Sequence, residues 1–214
     1  GDDLSWWGKN EAGEEILCRI TRAAAKPKLA SIPADPRMLG LVGLSDEGLG
    51  IRKRGTSEEG VTLIYKQPAM VEGLSNLPWH RDCGMGGHAL VCPVMIASLY
   101  LTDSNPDSGD LRVLPGSWKG TVPYIDASHP KAPKGARFDA RPGDVSLHYG
   151  DTMHAAPPPA DTGRSSYRIS AVTGYAKPEI KLPKRKGGFN SVLHQSADGQ
   201  IEHLSKVTDR LSQK

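Results

Sequence analysis

The chain has 214 residues and a mass of 23.0 kDa, enough for one domain with a sizeable core and too few for two full ones. Apolar residues make up 37% and charged residues 24%, which excludes a globally disordered chain, and 24 glycines with 17 prolines, about a fifth of the sequence, exclude a helix bundle. A net charge of +3 is too mild to imply nucleic acid as a partner. No apolar run approaches the ~20 residues that span a bilayer, so no membrane partner is expected.

The N-terminal Gly1, Asp2, Asp3 and Leu4 lack the basic and apolar regions of a secretory leader. Three cysteines, Cys18, Cys83 and Cys92, show no C-x-x-C spacing. They predict neither a disulfide framework nor a cysteine-rich zinc site, and a reducing cytoplasmic location fits them.

In chain order, Ile16, Leu17, Ile20, Ala23 and Ala24 recur at helical spacing, with acids early and Arg22 and Lys26 late, and predict a helix over 11–25 that ends at Pro27. From 32 to 60 the prolines and glycines predict a short helix and loops around a basic patch, Arg52, Lys53 and Arg54. Strand-like text begins at Val61, where Val61, Leu63 and Tyr65 alternate with Thr62, Ile64 and Lys66. Further strands are predicted within 77–82, 88–101, 111–114, 144–149 and 167–175, separated by turn-rich segments. Strands in succession without intervening helices predict an antiparallel sandwich or barrel. The stretch from Lys177 to Lys186 carries five basic residues and reads as a solvated tail, and Ile201, Leu204, Val207 and Leu211 predict a short terminal helix.

The chemistry starts at His80-Arg81-Asp82, because residues two apart on an extended segment point to the same side and can reach one ion. An imidazole and a carboxylate leave a metal under-coordinated. The third ligand must come from far along the chain, with His88, His129, His148 and His154 as candidates. His154 is preferred, since the turn at Gly150, Asp151 and Thr152 returns the chain from a predicted strand toward the one carrying His80. His148 sits mid-strand among apolar neighbours. Two histidines and one carboxylate are the facial triad of non-haem Fe(II) oxygenases, with positions left for a cosubstrate and dioxygen. Trp79 before the triplet and Gly84, Gly86 and Gly87 after it read as a wall and rim of one pocket.

Arg168 lies fourteen residues past His154 in strand-like text, where an Arg is costly to bury unless it meets an anion. A doubly charged ferrous ion, one aspartate and a doubly ionised 2-oxoglutarate leave a single negative charge, which Arg168 neutralises.

Four ordered segments carry a resemblance: Leu77-Pro78-Trp79-His80-Arg81-Asp82; Gly109 to Lys119 with Leu114-Pro115-Gly116-Ser117; Gly143-Asp144-Val145-Ser146-Leu147-His148 with Met153-His154; and Tyr167-Arg168-Ile169-Ser170. Together they resemble the phytanoyl-CoA dioxygenase family over roughly 61–175. The resemblance implies a mainly β, cupin-like jelly roll, the double-stranded β-helix, with iron in its mouth. It divides one dioxygenase domain, 1–214, into a helical or loop flank (1–60), a core (61–176) and a basic tail with a helix (177–214).

It implies His80, Asp82 and His154 as iron ligands, Arg168 at the distal carboxylate of 2-oxoglutarate, and Thr62 and Ser98 as further cosubstrate contacts. Two departures stand out. Trp118 replaces a common His, and Ala155 and Ala156 follow His154 where members place a hydroxyl. Related halogenases lack the carboxylate, so Asp82 favours hydroxylation.

The expected activity is therefore an Fe(II)- and 2-oxoglutarate-dependent dioxygenase that hydroxylates an unactivated C–H of a small apolar or aromatic molecule, yielding succinate and CO2. Trp79, Met85, Met95, Tyr100, Trp118 and Tyr124 are candidate lining. The rival readings are a cupin-like Zn(II) or Mn(II) hydrolase or isomerase, a non-catalytic jelly-roll binding module and, last, a nucleic-acid binder. The sequence is compatible with a monomer or a homodimer.

Overall fold

The N-terminal segment forms a hairpin where the periodicity predicts a helix. Strands β1 (Ser5–Lys9) and β2 (Glu15–Ile20) pair antiparallel across a turn in which the Asn10 side chain accepts from the Glu14 amide at 2.9 Å and Gly13 adopts φ +78°. β2 in turn pairs with β6 (Thr62–Lys66), placing Arg19 opposite Ile64 and Ile20 opposite Leu63. Apolar residues at 16, 17 and 20 satisfy a helical and an extended pattern alike, and pairing with an existing strand decides between them. The computed structural model describes residues 5–21, 23, 26–54, 57–58, 60–70, 77–82, 94–119, 130–159 and 167–178. His88, His129, Gly84, Gly86, Gly87, Met85, Tyr124, Cys83, Cys92, the terminal helix and most of the basic tail lie outside them.

Helix α1 (Pro27–Ala30) is a single turn, and α2 (Pro36–Gly43) starts at Asp35, whose carboxylate caps the Arg37 amide at 2.9 Å, with Pro36 in the first turn where no amide donor is needed. The buried side of α2, Met38 and Val42, packs on Met95, Ala97 and Tyr175. β3 (Gly50–Ile51) and a ribbon of β4 (Lys53–Arg54) and β5 (Ser57–Glu58) follow. The remaining strands are β7 (Leu77–His80), β8 (Val94–Tyr100), β9 (Arg112–Val113), β10 (Ala136–Arg137), β11 (Val145–Tyr149), β12 (His154–Ala156) and β13 (Arg168–Ala176).

Two sheets result. The larger runs β1-β2-β6-β13-β8-β11, with β3 also on β13; the smaller runs β10-β9-β12-β7. All these pairs are antiparallel, as a jelly roll requires. The sheet therefore begins at Ser5, and the flank expected to be helix and loop contributes three of its strands, β1, β2 and β3.

Strand alternation assigns the faces. On β11, Val145, Leu147 and Tyr149 pack on the α2 core, so Ser146 and His148 point the other way, between the sheets. On the smaller sheet, Trp79 packs with Met153, Ala155, Leu114 and Ala132. His80, His154 and Ala156 alternate with these residues and face inward. The Lys66 ammonium bridges the sheets by donating to the Ala156 carbonyl. No helix among the described residues is long and apolar enough to cross a membrane.

Candidate metal centre

The inner face of the smaller sheet brings two imidazoles together by register. His80 ends β7 and His154 begins β12; the two are direct partners, with ring centroids 4.1 Å apart. Residues directly opposite in an antiparallel pair share a face, so both rings project into the space between the sheets. Asp82, two residues past His80, returns its carboxylate to them: Oδ1 is 3.9 Å from His80 Nε2 and Oδ2 is 3.7 Å from His154 Nε2. One ligand atom from each of His80, Asp82 and His154 lies within 4.8 Å of the others.

The local causes are legible. The turn 150–152, closed by the Thr152 amide on the Tyr149 carbonyl at 2.8 Å, sends the chain from β11 in one sheet to β12 in the other. The Thr152 carbonyl lies 2.9 Å from His154 Nδ1 and, as an acceptor, calls for a proton there. That tautomer leaves Nε2 as a lone pair facing Asp82.

The protonation states suit a cation. Burial, followed by the charge of His80, pushes the His154 imidazole down to about 3, so it is neutral and a competent donor at neutral pH. Burial alone would raise Asp82, but the surrounding imidazoles, His154 foremost, outweigh it and hold the carboxyl below the usual carboxylate range. Two imidazoles and one carboxylate form a donor set that fits Fe(II) and leaves room for further oxygen ligands.

Arg168 begins β13 opposite Lys66. It is buried, its Nε makes no hydrogen bond, and desolvation lowers its pKa against the opposing pull of Tyr100 and Asp110. The carboxylate of Asp110 is already held by Arg137 Nε at 2.9 Å and by Arg112 Nη2 at 3.3 Å. Arg168 is thus a buried fork without a carboxylate of its own among the described residues, which fits an anionic ligand.

Thr62 and Ser98 fall in one row of the larger sheet, Thr62 opposite Val172 and Val172 opposite Ser98, with Ser146 next to Ser98. Of the candidate lining, Trp79 and Met95 belong to core clusters on the outer faces, so Trp79 is not the pocket wall that its place in the sequence implies. Tyr100 is buried with its hydroxyl 3.1 Å from Ser146 Oγ, and Trp118 is exposed with its ring 6.3 Å from that of Tyr149.

Three further residues stand at the site: His148, which the sequence offers as a candidate ligand but ranks below His154, and Lys66 and Arg19, which it does not single out. His148 Nε2 stands 3.5 Å from Asp82 Oδ2, and its ring lies 4.5 Å from that of His154. Lys66 is fully buried, and burial, then the charge of Arg168, holds its pKa well below the ordinary lysine value. Arg19 is buried and feels the charge of Asp82, although burial still pushes its guanidinium down to about 10. Strand alternation marks His148, which shares an inward row with Ser146 between the outward Val145, Leu147 and Tyr149, whereas Arg19 and Lys66 share their rows with the apolar Leu17 and Ile64 and carry no such mark.

Residues 37–164 match the model of the phytanoyl-CoA dioxygenase (PhyH) family, more than half of the chain, and the protein belongs to that family. It is a family of Fe(II)- and 2-oxoglutarate-dependent oxygenases. Among curated proteins, none matches the chain. Among solved structures it is similar to EvdMO1 (TM-score 0.60, 23% identity, covering 83% of this chain and 39% of that one). It is similar also to EctD from S. alaskensis with bound Fe (TM-score 0.60, 21% identity, 86% of this chain and 64% of that one). A third is the non-heme alpha ketoglutarate dependent carbocyclase SnoK from nogalamycin biosynthesis (TM-score 0.63, 20% identity, 90% of this chain and 75% of that one). The chain therefore spans less than half the length of EvdMO1 and under two thirds of EctD. At these identities the likeness is one of fold, and that fold is the jelly roll.

Proposed function

We propose that this chain is a single Fe(II)- and 2-oxoglutarate-dependent dioxygenase domain that hydroxylates an unactivated C–H of a small apolar or aromatic molecule. The observation that carries the proposal is the convergence of His80, Asp82 and His154 ligand atoms within 4.8 Å between the two sheets. In this reading they hold the iron, and Arg168 takes the distal carboxylate of 2-oxoglutarate, with Thr62 and Ser98 as further polar contacts. Bound iron and 2-oxoglutarate supply dioxygen activation, with succinate and CO2 as products.

The work of the chain is positional. The His80–His154 register fixes two donors, and the Thr152 carbonyl fixes the His154 tautomer. Tyr100, Ser146 and the apolar Val94, Ile96 and Val172 lie on the inner face of the larger sheet, and in this reading they shield the donors from bulk water. Hydroxylation is proposed over halogenation because the carboxylate is present at Asp82. SnoK is titled a carbocyclase, and the proposal for this chain stops at hydroxyl transfer.

Anaerobic Fe(II) titration with and without 2-oxoglutarate tests the proposal through the visible metal-to-ligand charge-transfer band. A band that needs both components, disappears in His154→Ala and weakens in Arg168→Met is expected. Tight zinc retention with no such band would replace the proposal with the hydrolase or structural-metal reading.

A further inference from the structure

The geometry points to His148 as a positioning residue for Asp82, its Nε2–H donating to Asp82 Oδ2 so that the carboxylate offers one oxygen to the metal. The inference rests on the reading of His80, Asp82 and His154 as the metal ligands.

His148 reaches the site from the opposite sheet. It sits on β11, where Val145, Leu147 and Tyr149 pack outward and Ser146 and His148 face inward. Its side chain is 6% exposed, and neither ring nitrogen makes a hydrogen bond. A buried imidazole with both nitrogens unsatisfied is rare in folded chains unless a site uses it.

Its nearest acidic partner is specific. Nε2 lies 3.5 Å from Asp82 Oδ2, a few tenths of an ångström beyond an ordinary hydrogen bond. The three residues whose ligand atoms are all mutually within 4.8 Å do not include His148, so it sits beside the ligand set rather than in it.

The consequence concerns coordination number. Asp82 presents Oδ1 toward His80 and Oδ2 toward His154 and His148. A carboxylate with both oxygens free can bind a cation through both and occupy a position that the cosubstrate needs. A donor fixed on Oδ2 from a rigid strand removes that option, and partners of this kind typically tune metal affinity 10- to 100-fold.

The test compares His148→Phe, which keeps the volume without a donor, and His148→Gln, which keeps a donor, with Asp82→Ala as control. Fe(II) affinity is measured by anaerobic equilibrium dialysis, and coordination by the visible spectrum of the Co(II)-loaded protein. The inference expects Fe(II) binding weakened about 10- to 100-fold in His148→Phe. It expects near-normal binding and an unchanged Co(II) spectrum in His148→Gln.

Unchanged affinity in His148→Phe overturns it. Equal loss in both variants with an altered Co(II) spectrum also overturns it, by making His148 a ligand. Should His148→Phe fail to fold, His148→Leu makes the same comparison. Retained metal affinity in Asp82→Ala would instead bring down the proposed metal site, which keeps the two failures distinct.

Discussion

Arg168→Met separates a binding role from a structural one because the two predict opposite signs. Arg168 is buried, its Nε is unsatisfied, it shares its register position with Lys66, and Asp110 is already taken by Arg112 and Arg137. An unsatisfied buried donor costs about 1–3 kcal/mol, and Met preserves most of the aliphatic stem that the arginine packs. The metal-free variant should therefore be as stable as the unaltered chain or more stable, by up to about 2 kcal/mol, which raises Tm by roughly 2–4 °C per kcal/mol for a chain of this size.

The effect on 2-oxoglutarate runs the other way. Truncating one partner of a buried, hydrogen-bonded charge pair costs about 2–5 kcal/mol, or about 30- to 4,000-fold in Kd at ~1.4 kcal/mol per tenfold. Urea melts of the metal-free protein read the first quantity, and anaerobic calorimetry of 2-oxoglutarate binding to the Fe(II)-loaded protein reads the second. A variant that loses 2 kcal/mol or more of stability and binds 2-oxoglutarate normally would refute the reasoning and make Arg168 a structural residue.

Three further outcomes are expected. Gly109 has φ +76°, and a Cβ there would stand 2.8 Å from the Pro157 carbonyl oxygen and 2.5 Å from Lys66 Cε. Gly109→Ala should therefore cost about 2–4 kcal/mol in urea melts; an effect within 0.5 kcal/mol of zero, the ordinary range for a surface substitution, would contradict the geometry. Asp110 is fully buried beneath Arg112 and Arg137, and Asp110→Asn should lower stability by about 3 kcal/mol, with a neutral result counting against the ion-pair assignment. His154 titrates near 3 when folded and 6.5 when unfolded, so between those values the unfolded chain binds the extra proton. Stability of the metal-free protein should rise with pH across that window, be complete above 6.5 and fall away toward 3. In a pH series of melts His154→Asn should flatten this acid limb, and an unchanged limb would disprove its assignment to His154.

The clustering of His80, Asp82 and His154 is legible in the sequence because local and long-range signals agree. The strand expected over 77–82 stops at His80, and a turn rather than strand geometry brings Asp82 back to the imidazoles, while the turn at 150–152 indicates the return that pairs His154 with His80. The N-terminal hairpin was not readable from its own apolar spacing, since Ile16, Leu17 and Ile20 suit helix and strand alike. The decisive contacts, Arg19 with Ile64 and Ile20 with Leu63, come from more than forty residues away. His148 was passed over for its apolar neighbours. Those neighbours, Val145, Leu147 and Tyr149, belong to the outer core, and their alternation is what turns His148 inward. A polar residue amid apolar ones reads as buried, and only the second sheet reveals what it is buried against.

The charge pattern of the interior follows from the same alternation. Arg19, Lys66 and Arg168 are buried residues of β2, β6 and β13, which are neighbours in one sheet. Inside the described structure Asp82 faces the imidazoles, and Asp110 is engaged by two arginines. Burying charge opposes folding, as the depressed titration of Lys66 and Arg168 records, burial being the first cause of each. In the proposed reading a ferrous ion would add positive charge beside Arg168 and Lys66, and a dicarboxylate would bring negative charge to balance it. The desolvation of the Arg168 guanidinium is already met in the folded chain, so under the proposed role a dicarboxylate would find its partner dehydrated and fixed in place.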